Sequence, residues 1–560
     1  MKERYIDLME KALSAYSDEH ILRYFNEVKA EGLTEHGFPR LTSNMGILIA
    51  HGRRRDLLPI FLEMMDFCCH SIPNRLAAND FSVREIVSAL CEIEASGVVP
   101  EERVGRWRAE LASIDPTKTY NRFVTTVDIY YRNWVLFTAL SETFRMGAGI
   151  GGSEEFIELQ LLQQMQWFDE NGMYGDDHHT ENHQPIQYDL VPRGLLCVLL
   201  NEGYRGASYE AIDKNLRRAG LLTLSMQSPI GEMAFGGRSN QFLLNEGWLI
   251  CVLEYEAKRY AREGNAALAA RFKAASARAL ALTEQWLCRE PLRHIKNRYP
   301  TETTYGCEGY GYFDKYMITV ASLLYSAYTI CDDSIPFTPS ADDETVAFKT
   351  ADGFHKLFLK SGGYGLEFDT DADPHYDAKG LGRIHRTDAP GALCLSCPCP
   401  SDPLYTVDIE EPFAFSLCSA LPTDGEWRFG AEDSATYEVL ESKTEADAAL
   451  ATLRCTFRDG RSTSEEYRVS ERGVRITVRG DGEIGYALPA LCFDGETETE
   501  VTVEEQALSV TYEGWMCRYT VSGGILDLDR IAANRNGHYR AFLATAKDAL
   551  EITVELVKMQ

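Results

Sequence analysis

Long apolar runs are missing from this sequence. No stretch reaches the ~20 uncharged apolar residues that a bilayer-spanning helix needs, so no membrane span is expected. The first residues, MKERYIDLMEKAL, carry Glu3, Asp7 and Glu10 and read as an amphipathic helix. They lack the uninterrupted apolar core of a secretory signal, and a cytoplasmic protein is expected. Positive charge is also short, with 56 Lys and Arg against 85 Asp and Glu and a net charge of −29. That field argues against nucleic acid and anionic membranes as partners. It leaves room for a small anionic ligand, because a site needs only local positive charge. A zinc pattern is lacking too. Cys394, Cys397 and Cys399 cluster in CLSCPCP, but no second ligand pair stands at zinc spacing. A strand end broken by prolines is the expected reading, with no metal or other cofactor. Most of the other cysteines lie in apolar runs, such as Cys197 in LLCVLL and Cys251 in LICVL. They read as buried thiols of a reducing compartment.

What is present is ordinary in amount: 45% apolar and 25% charged residues over 560 positions, enough for two to four domains with substantial cores. Up to about residue 335, apolar positions recur at helical spacing, as in FIELQLLQQMQWF (156–168), QFLLNEGWLICVLEYEAKRYA (241–261) and ALAARFKAASARALALTEQWL (267–287). Roughly a dozen such segments of similar length point to a toroid of paired helices. After DDSIPFTPSADDE the period becomes two. Val474, Ile476 and Val478 alternate with Arg475, Thr477 and Arg479, and Asp459-Gly460 signals a hairpin. The expected layout is an N-terminal (α/α) toroid over 1–335, a linker over 336–344 and an antiparallel β-sandwich over 345–560. The chain leaves a homo-oligomer open.

Two polar connections, 169–187 and 289–313, are long enough to be functional. The first contains GMYGDDHHTENHQPIQYDLVPRGLL, with His179, Asn182, His183, Tyr188 and Arg193. His179 and His183 are four apart, but Pro185 and the polar surroundings disfavour a continuous metal-binding helix, so hydrogen bonding or catalysis is preferred. GEMAFGGRSNQF holds Arg238 and Asn240. Its Gly236-Gly237 pair permits close backbone approach, Ser239 is a candidate helix cap, and Arg238 at a helix start, the wrong end for the dipole, suits a bound anion. NRYPTETTYGCEGYGYFDKY surrounds Glu308 with tyrosines, including Tyr305 and Tyr310, whose apolar bodies and polar tips suit sugar faces; packing between domains is the competing reading. DPHYDAKGLGRIHR offers His375, Arg383 and His385 early in the β region, or else a basic edge that blunts strand pairing. Trp134 and Trp167 are candidate sugar platforms, although each is more often core.

With these residues in view, the chain resembles the heparinase II/III-like carbohydrate-active enzymes, which join an (α/α) toroid to an antiparallel β-sandwich. ENHQPIQYDL resembles the Asn-His-Gly-x-x-Tyr-Asp stretch of alginate-lyase-like members, where Asn and His face the uronate. Asn182, His183, Tyr188 and Asp189 match; Gln184 replaces the glycine, and one extra residue separates His from Tyr. Toroid-plus-sandwich hydrolases of β-glucuronidase type share the layout. The resemblance implies cleavage of short anionic, uronic-acid-containing oligosaccharides, by β-elimination or by hydrolysis. An elimination would use Asn182 with Arg238 or Arg193 on the carboxylate, Tyr188, Tyr310 or His183 as acid and base, and His385 reaching over from the sandwich. A hydrolysis would draw two carboxylates from Asp177, Glu181, Glu246, Glu302, Glu308 and Asp314. A glycan-binding protein without catalysis is the third class.

Overall fold

The computed structural model describes residues 1–74, 79–126, 131–176, 183–339 and 344–559. Among them, six helices form an inner ring: Gly37–Ala50, Asn79–Ser96, Trp134–Gly147, Ile186–Asn201, Leu244–Arg262 and Phe313–Ile330. Each packs on the next, and the last closes on the first. These helices are buried almost all round; in Leu244–Arg262 even Asn245, Glu246, Glu254 and Glu256 are inside. Outer helices cover the ring with one apolar stripe each. Lys2–Leu13 buries Tyr5, Ile6, Leu8, Met9, Ala12 and Leu13 and turns its charges outward, the pattern of a surface helix. Backbones come close where the ring carries glycine. A Cβ on Gly194 would stand 2.4 Å from the Trp248 ring, and one on Gly247 would press on Leu323.

The last inner helix ends at Ile330 and the first strand begins at Val346. From there the chain is antiparallel β, so the expected order of toroid then sandwich is the observed one. A four-stranded sheet runs Val346–Lys349, Lys356–Ser361, Tyr364–Asp369, Gly380–Arg386. It packs on a larger sheet built around two 21-residue strands, Gly473–Phe493 and His538–Lys558, which pair with each other along most of their length. Strand Lys356–Ser361 lies on Ala449–Thr456 and Ser462–Ser470 of that sheet. Among the described residues no helix is long and apolar enough to cross a membrane.

The four-stranded sheet is buried on both faces, which alternation alone does not announce. Leu357, Leu359, Leu366 and Phe368 enter the sandwich core. The alternate positions, Lys356, Lys360, Glu367 and Asp369, are buried polar residues and meet the toroid. Lys360 Nζ donates to the carbonyls of Leu224 and Gln227 at 3.1 and 3.3 Å, and Glu367 accepts from the Phe235 amide. Gly380–Arg386 is the edge strand of this sheet, but the competing reading of a solvated basic edge is corrected: Arg383 and His385 are buried in a charged face seated on the toroid.

The ring packing gives a test. Gly194→Ala drives a methyl into Trp248, and about 1–3 kcal/mol of destabilisation is expected from overpacking. Gly105→Ala, in the outer helix Glu101–Ala112 with open space around it, should stabilise by roughly 0.5–1 kcal/mol. Urea unfolding of both variants reads the difference; equal effects would contradict the packing.

Candidate active site

The inner helices bring their starts together at the end of the toroid that faces the sandwich. Phe81 and Trp134, from two helix starts, meet edge to face with ring centres 5.0 Å apart. Arg40, near a third, donates to Thr319 on a fourth at 2.7 Å. Tyr188 stands in the first turn of Ile186–Asn201, beside the 236–241 loop. That loop is bent by a run of left-handed residues, Gly236, Gly237, Ser239 and Gln241, with φ of 145°, 73°, 59° and 65°. Gly237 is required here, since a Cβ would lie 2.8 Å from Pro185. Two non-glycine residues in this region store strain of the kind found where a loop must present specific groups.

The loop presents Arg238 and Ser239. Arg238 is half-buried, donates to Asp176 Oδ2 at 2.8 Å and lies 4.2 Å over the Tyr188 ring. Asp176 is buried, and Asn133, at the start of Trp134–Gly147, donates to its other oxygen at 2.5 Å. Burial pushes the Asp176 carboxyl above its usual range, against the pull of Asn133 and Arg238. The Ser239 hydroxyl lies 2.7 Å from Tyr310 Oη and 3.3 Å from Tyr188 Oη. Burial pushes the Tyr310 hydroxyl far up, with Tyr188 and Glu308 adding to it, so Tyr310 keeps its proton at neutral pH. The Ser239 amide donates to Glu308 Oε1 at 2.6 Å. Glu308 is held by Arg535 of the sandwich, at 2.7 and 3.1 Å through its two oxygens.

The sandwich side adds a second group. His183 meets His355 with ring centres 5.6 Å apart. His355 Nδ1 lies 2.5 Å from Asp369 Oδ1, and Lys356 Nζ donates to Asp369 Oδ2 at 2.7 Å. Among the described residues His183 Nδ1 and His355 Nε2 are buried without a hydrogen-bond partner. Asp377 accepts from the Gly237 amide at 2.6 Å, and burial pushes its carboxyl up to about 6. The same aspartate therefore ties the sandwich to the strained loop.

Of the residues expected from sequence, Tyr188, Arg238, Tyr310 and Glu308 converge here, with Trp134 on the rim, 39% exposed. Asn182 and His179, with Asp177 and Glu181, lie outside the described residues. Several other expectations are corrected. Arg193 is fully buried and forked onto Asp189 four residues earlier, with Thr223 as a further acceptor; it has no face left for a substrate. His385 is buried between Ser228, at 2.7 Å, and the Gly391 carbonyl. Arg383 donates to Glu367 and to the Met233 and Ser396 carbonyls. Both belong to the seam between the domains, and neither opens to the cleft. Tyr305 is buried and stacked on Tyr299 at 3.5 Å, so packing explains it. Asn240 is buried beside Gln241. Trp167 sits below the loop, its carbonyl accepting from Gly175. His375 lies on a surface turn by Asp402. Ser239 does not cap a helix; Leu244–Arg262 begins five residues on. Among the hydrolytic carboxylates, Glu246 is buried on Lys296, Asp314 pairs with His20, and Glu302 is exposed.

Asp176, Ser239, Asp377 and Arg535 were missed. Nothing in the local sequence marks Arg535 or Asp377, because their partners are far along the chain. Ser239 carries a signal, the GGRS turn, but that turn reads equally well as a helix cap. The CLSCPCP thiols are buried, Cys394 against Tyr519 and Cys397 against Asn536. A separate groove of about 580 Å³ follows the outer seam beside Trp286, Arg289, Arg298 and Pro390; Tyr188, Arg238 and Tyr310 do not line it.

No family model and no curated protein matches the chain. Among solved structures it is similar to heparinase III, at 9% identity over 85% of this chain and 77% of that one, with a TM-score of 0.35. It is also similar to a heparan sulfate lyase mutant from Pedobacter heparinus, at 8% identity over 94% and 77%, with a TM-score of 0.40. A galactose mutarotase-like protein from Clostridium acetobutylicum matches 36% of this chain and 95% of its own, at 8% identity and a TM-score of 0.22. Likenesses this distant decide nothing about activity, and the roles proposed below rest on the side chains.

The seam carries a pH test. Burial, with Arg383 beside it, pulls the His385 imidazole down to about 3, whereas an unfolded histidine titrates near 6.5. The unfolded chain thus binds the extra proton first. This contribution to stability is present above pH ~6.5 and is lost as pH falls toward 3, by roughly 3–5 kcal/mol. In His385→Asn the unfolding free energy should fall less steeply across that window; an unchanged slope would contradict a buried neutral histidine.

Proposed function

We propose that the protein is a lyase acting on short uronic-acid-containing oligosaccharides. The observation that carries this reading is one half-exposed guanidinium, Arg238, set beside three hydroxyls in contact, Tyr188, Ser239 and Tyr310. β-Elimination from a uronate needs those parts. A cation must neutralise the carboxylate so that the C5 proton can leave. An acceptor must take the proton, and a donor must protonate the leaving oxygen at C4. Arg238 is kept cationic, since Tyr188 and Asp176 outweigh its burial. Tyr188, in its deprotonated form, takes the C5 proton. The electron pair forms the C4–C5 double bond, the C4–O4 bond breaks, and Tyr310 gives its proton to O4. His183, against His355 on the sandwich side, is a further candidate for contact with the sugar.

Hydrolysis asks for two carboxylates across the scissile bond, about 5 Å apart or 6.5–9.5 Å apart. Of the described carboxylates here, Asp176 and Glu308, the two nearest the tyrosines, have both oxygens engaged, Asp176 by Asn133 and Arg238 and Glu308 by Ser239 and Arg535. Asp377 is buried on the Gly237 amide with its other oxygen unpartnered, which leaves one carboxylate where hydrolysis asks for two, and that favours elimination. The net charge of −29 repels a long polyanion, while screening beyond ~10 Å at 0.1 M salt lets a short one reach Arg238. Exo-type action on short chains follows from this balance.

Two hydroxyls that share one serine would address a bound sugar from one side. They suit a syn elimination, with the C5 hydrogen and O4 on one face of the ring, as in gluco- and manno-configured uronates. On 4-linked glucuronate or mannuronate tetrasaccharides, ultraviolet absorbance of a 4,5-unsaturated product should rise, and guluronate or galacturonate chains should react more slowly. Sugar release without absorbance would instead mark a hydrolase. Arg238→Ala should lose about 1.5–3 kcal/mol of charged hydrogen bonding, or roughly tenfold to a hundredfold in kcat/KM, on the uronate and far less on a neutral glycoside of equal size. Full retention on the uronate would contradict the role of Arg238.

A further inference from the structure

Building on the lyase reading, we propose that Ser239 is a proton relay that resets the two tyrosines after each turnover. Elimination leaves Tyr188 protonated and Tyr310 as phenolate, the reverse of the state in which the cycle began. Both must be restored before the next substrate reacts. The Ser239 hydroxyl touches both, at 2.7 Å from Tyr310 and 3.3 Å from Tyr188. It gives its proton to the Tyr310 oxygen and takes the one on Tyr188. One O–H bond forms and one breaks at each oxygen pair, the phenolate charge passes from Tyr310 to Tyr188 with the total charge of the three groups unchanged, and no outside acid or base is consumed.

Three further observations support a built relay. Ser239 is buried, whereas both tyrosines are partly exposed, so bulk water reaches the tyrosines more readily than the serine between them. Its backbone is left-handed, φ 59°, a conformation that L residues adopt only where the surroundings impose it. Those surroundings are specific. The Ser239 amide is fixed by Glu308, its carbonyl accepts from Asn245 Nδ2 at 3.2 Å, and Glu308 is itself fixed by Arg535. A capping serine needs none of this. The hydroxyl is aimed by the fold at two groups whose protonation must be exchanged.

The test separates the first turnover from later ones. Ser239→Ala removes the hydroxyl and keeps the Cβ; Ser239→Gly removes it in a residue that accepts the left-handed backbone, which guards against misfolding in either variant. The full-length protein is mixed in excess and then in deficit with a 4-linked glucuronate tetrasaccharide, and product absorbance is followed from milliseconds. The relay predicts a first turnover near the wild-type rate in both variants. A burst of about one product per protein should precede a steady state slowed by tenfold or more, with KM falling in parallel and kcat/KM little changed. Two results would overturn it. One is a steady state in both variants within twofold of wild type. The other is a first turnover and a steady state that fall together, which makes Ser239 a positioning residue only. A wild-type protein that forms no unsaturated product overturns the lyase reading itself, an outcome recognisable without any variant.

Discussion

The buried pair between Arg535 and Glu308 is the constraint on which the site depends. Arg535 sits in the turn between the last two strands, and Glu308 sits in the connection before the last inner helix. Removing both charges from water is costly, and a buried pair of this kind holds only where geometry and further hydrogen bonds are good. Here they are. Arg535 also donates to the Gly306 carbonyl at 2.7 Å and lies 4.0 Å over the Tyr405 ring, and the Arg535 carbonyl accepts from Asn297 at 2.8 Å. Glu308 passes the constraint to the Ser239 amide. A contact between domains thereby sets the position of a hydroxyl in the toroid mouth.

The rest of the seam follows the same logic. Lys356 pairs with Asp369, Arg383 with Glu367 and Glu232, and Lys296 with Glu232 and Glu246. Lys296 and Arg383 hold Glu232 down at about 2 although burial works the other way. Burial pushes Glu367 up to about 7 despite Arg383 and Lys356. A sheet face that would be solvated in an isolated sandwich is here neutralised charge by charge against the toroid. Such pairs add little net stability but penalise any other docking, because a shift would strand a buried charge. The cleft inherits that fixed geometry.

How much of this was legible depended on sequence separation. The inner helices announce themselves by local period, and the strands around Val474 to Val478 and Leu550 to Leu556 by alternation. The Tyr188, Arg238 and Tyr310 cluster was legible because each lies in a polar stretch beside an apolar helix start. Arg193, in the same quoted stretch as Tyr188, was misread. One helical turn places it over Asp189, and a composition-level view cannot distinguish a residue aimed into the cleft from one aimed into the ring. Arg383 and His385 were misread for a related reason. A two-residue period says which residues share a face, not whether that face meets water or another domain. Asp377 and Arg535 act through partners 140 and 227 positions away, and no local pattern carries that information.

The central claim is that a uronate carboxylate seats on Arg238 with its C5 and O4 against Tyr188 and Tyr310. A crystal structure of the Ser239→Ala protein with a 4-linked glucuronate tetrasaccharide tests this most directly. The account predicts a sugar in the toroid mouth, its carboxylate within hydrogen-bond distance of Arg238 and its C5 hydrogen and O4 on the face of the two tyrosines. An ordered sugar held in the groove beside Trp286, or one in the mouth with its carboxylate turned away from Arg238, would contradict it.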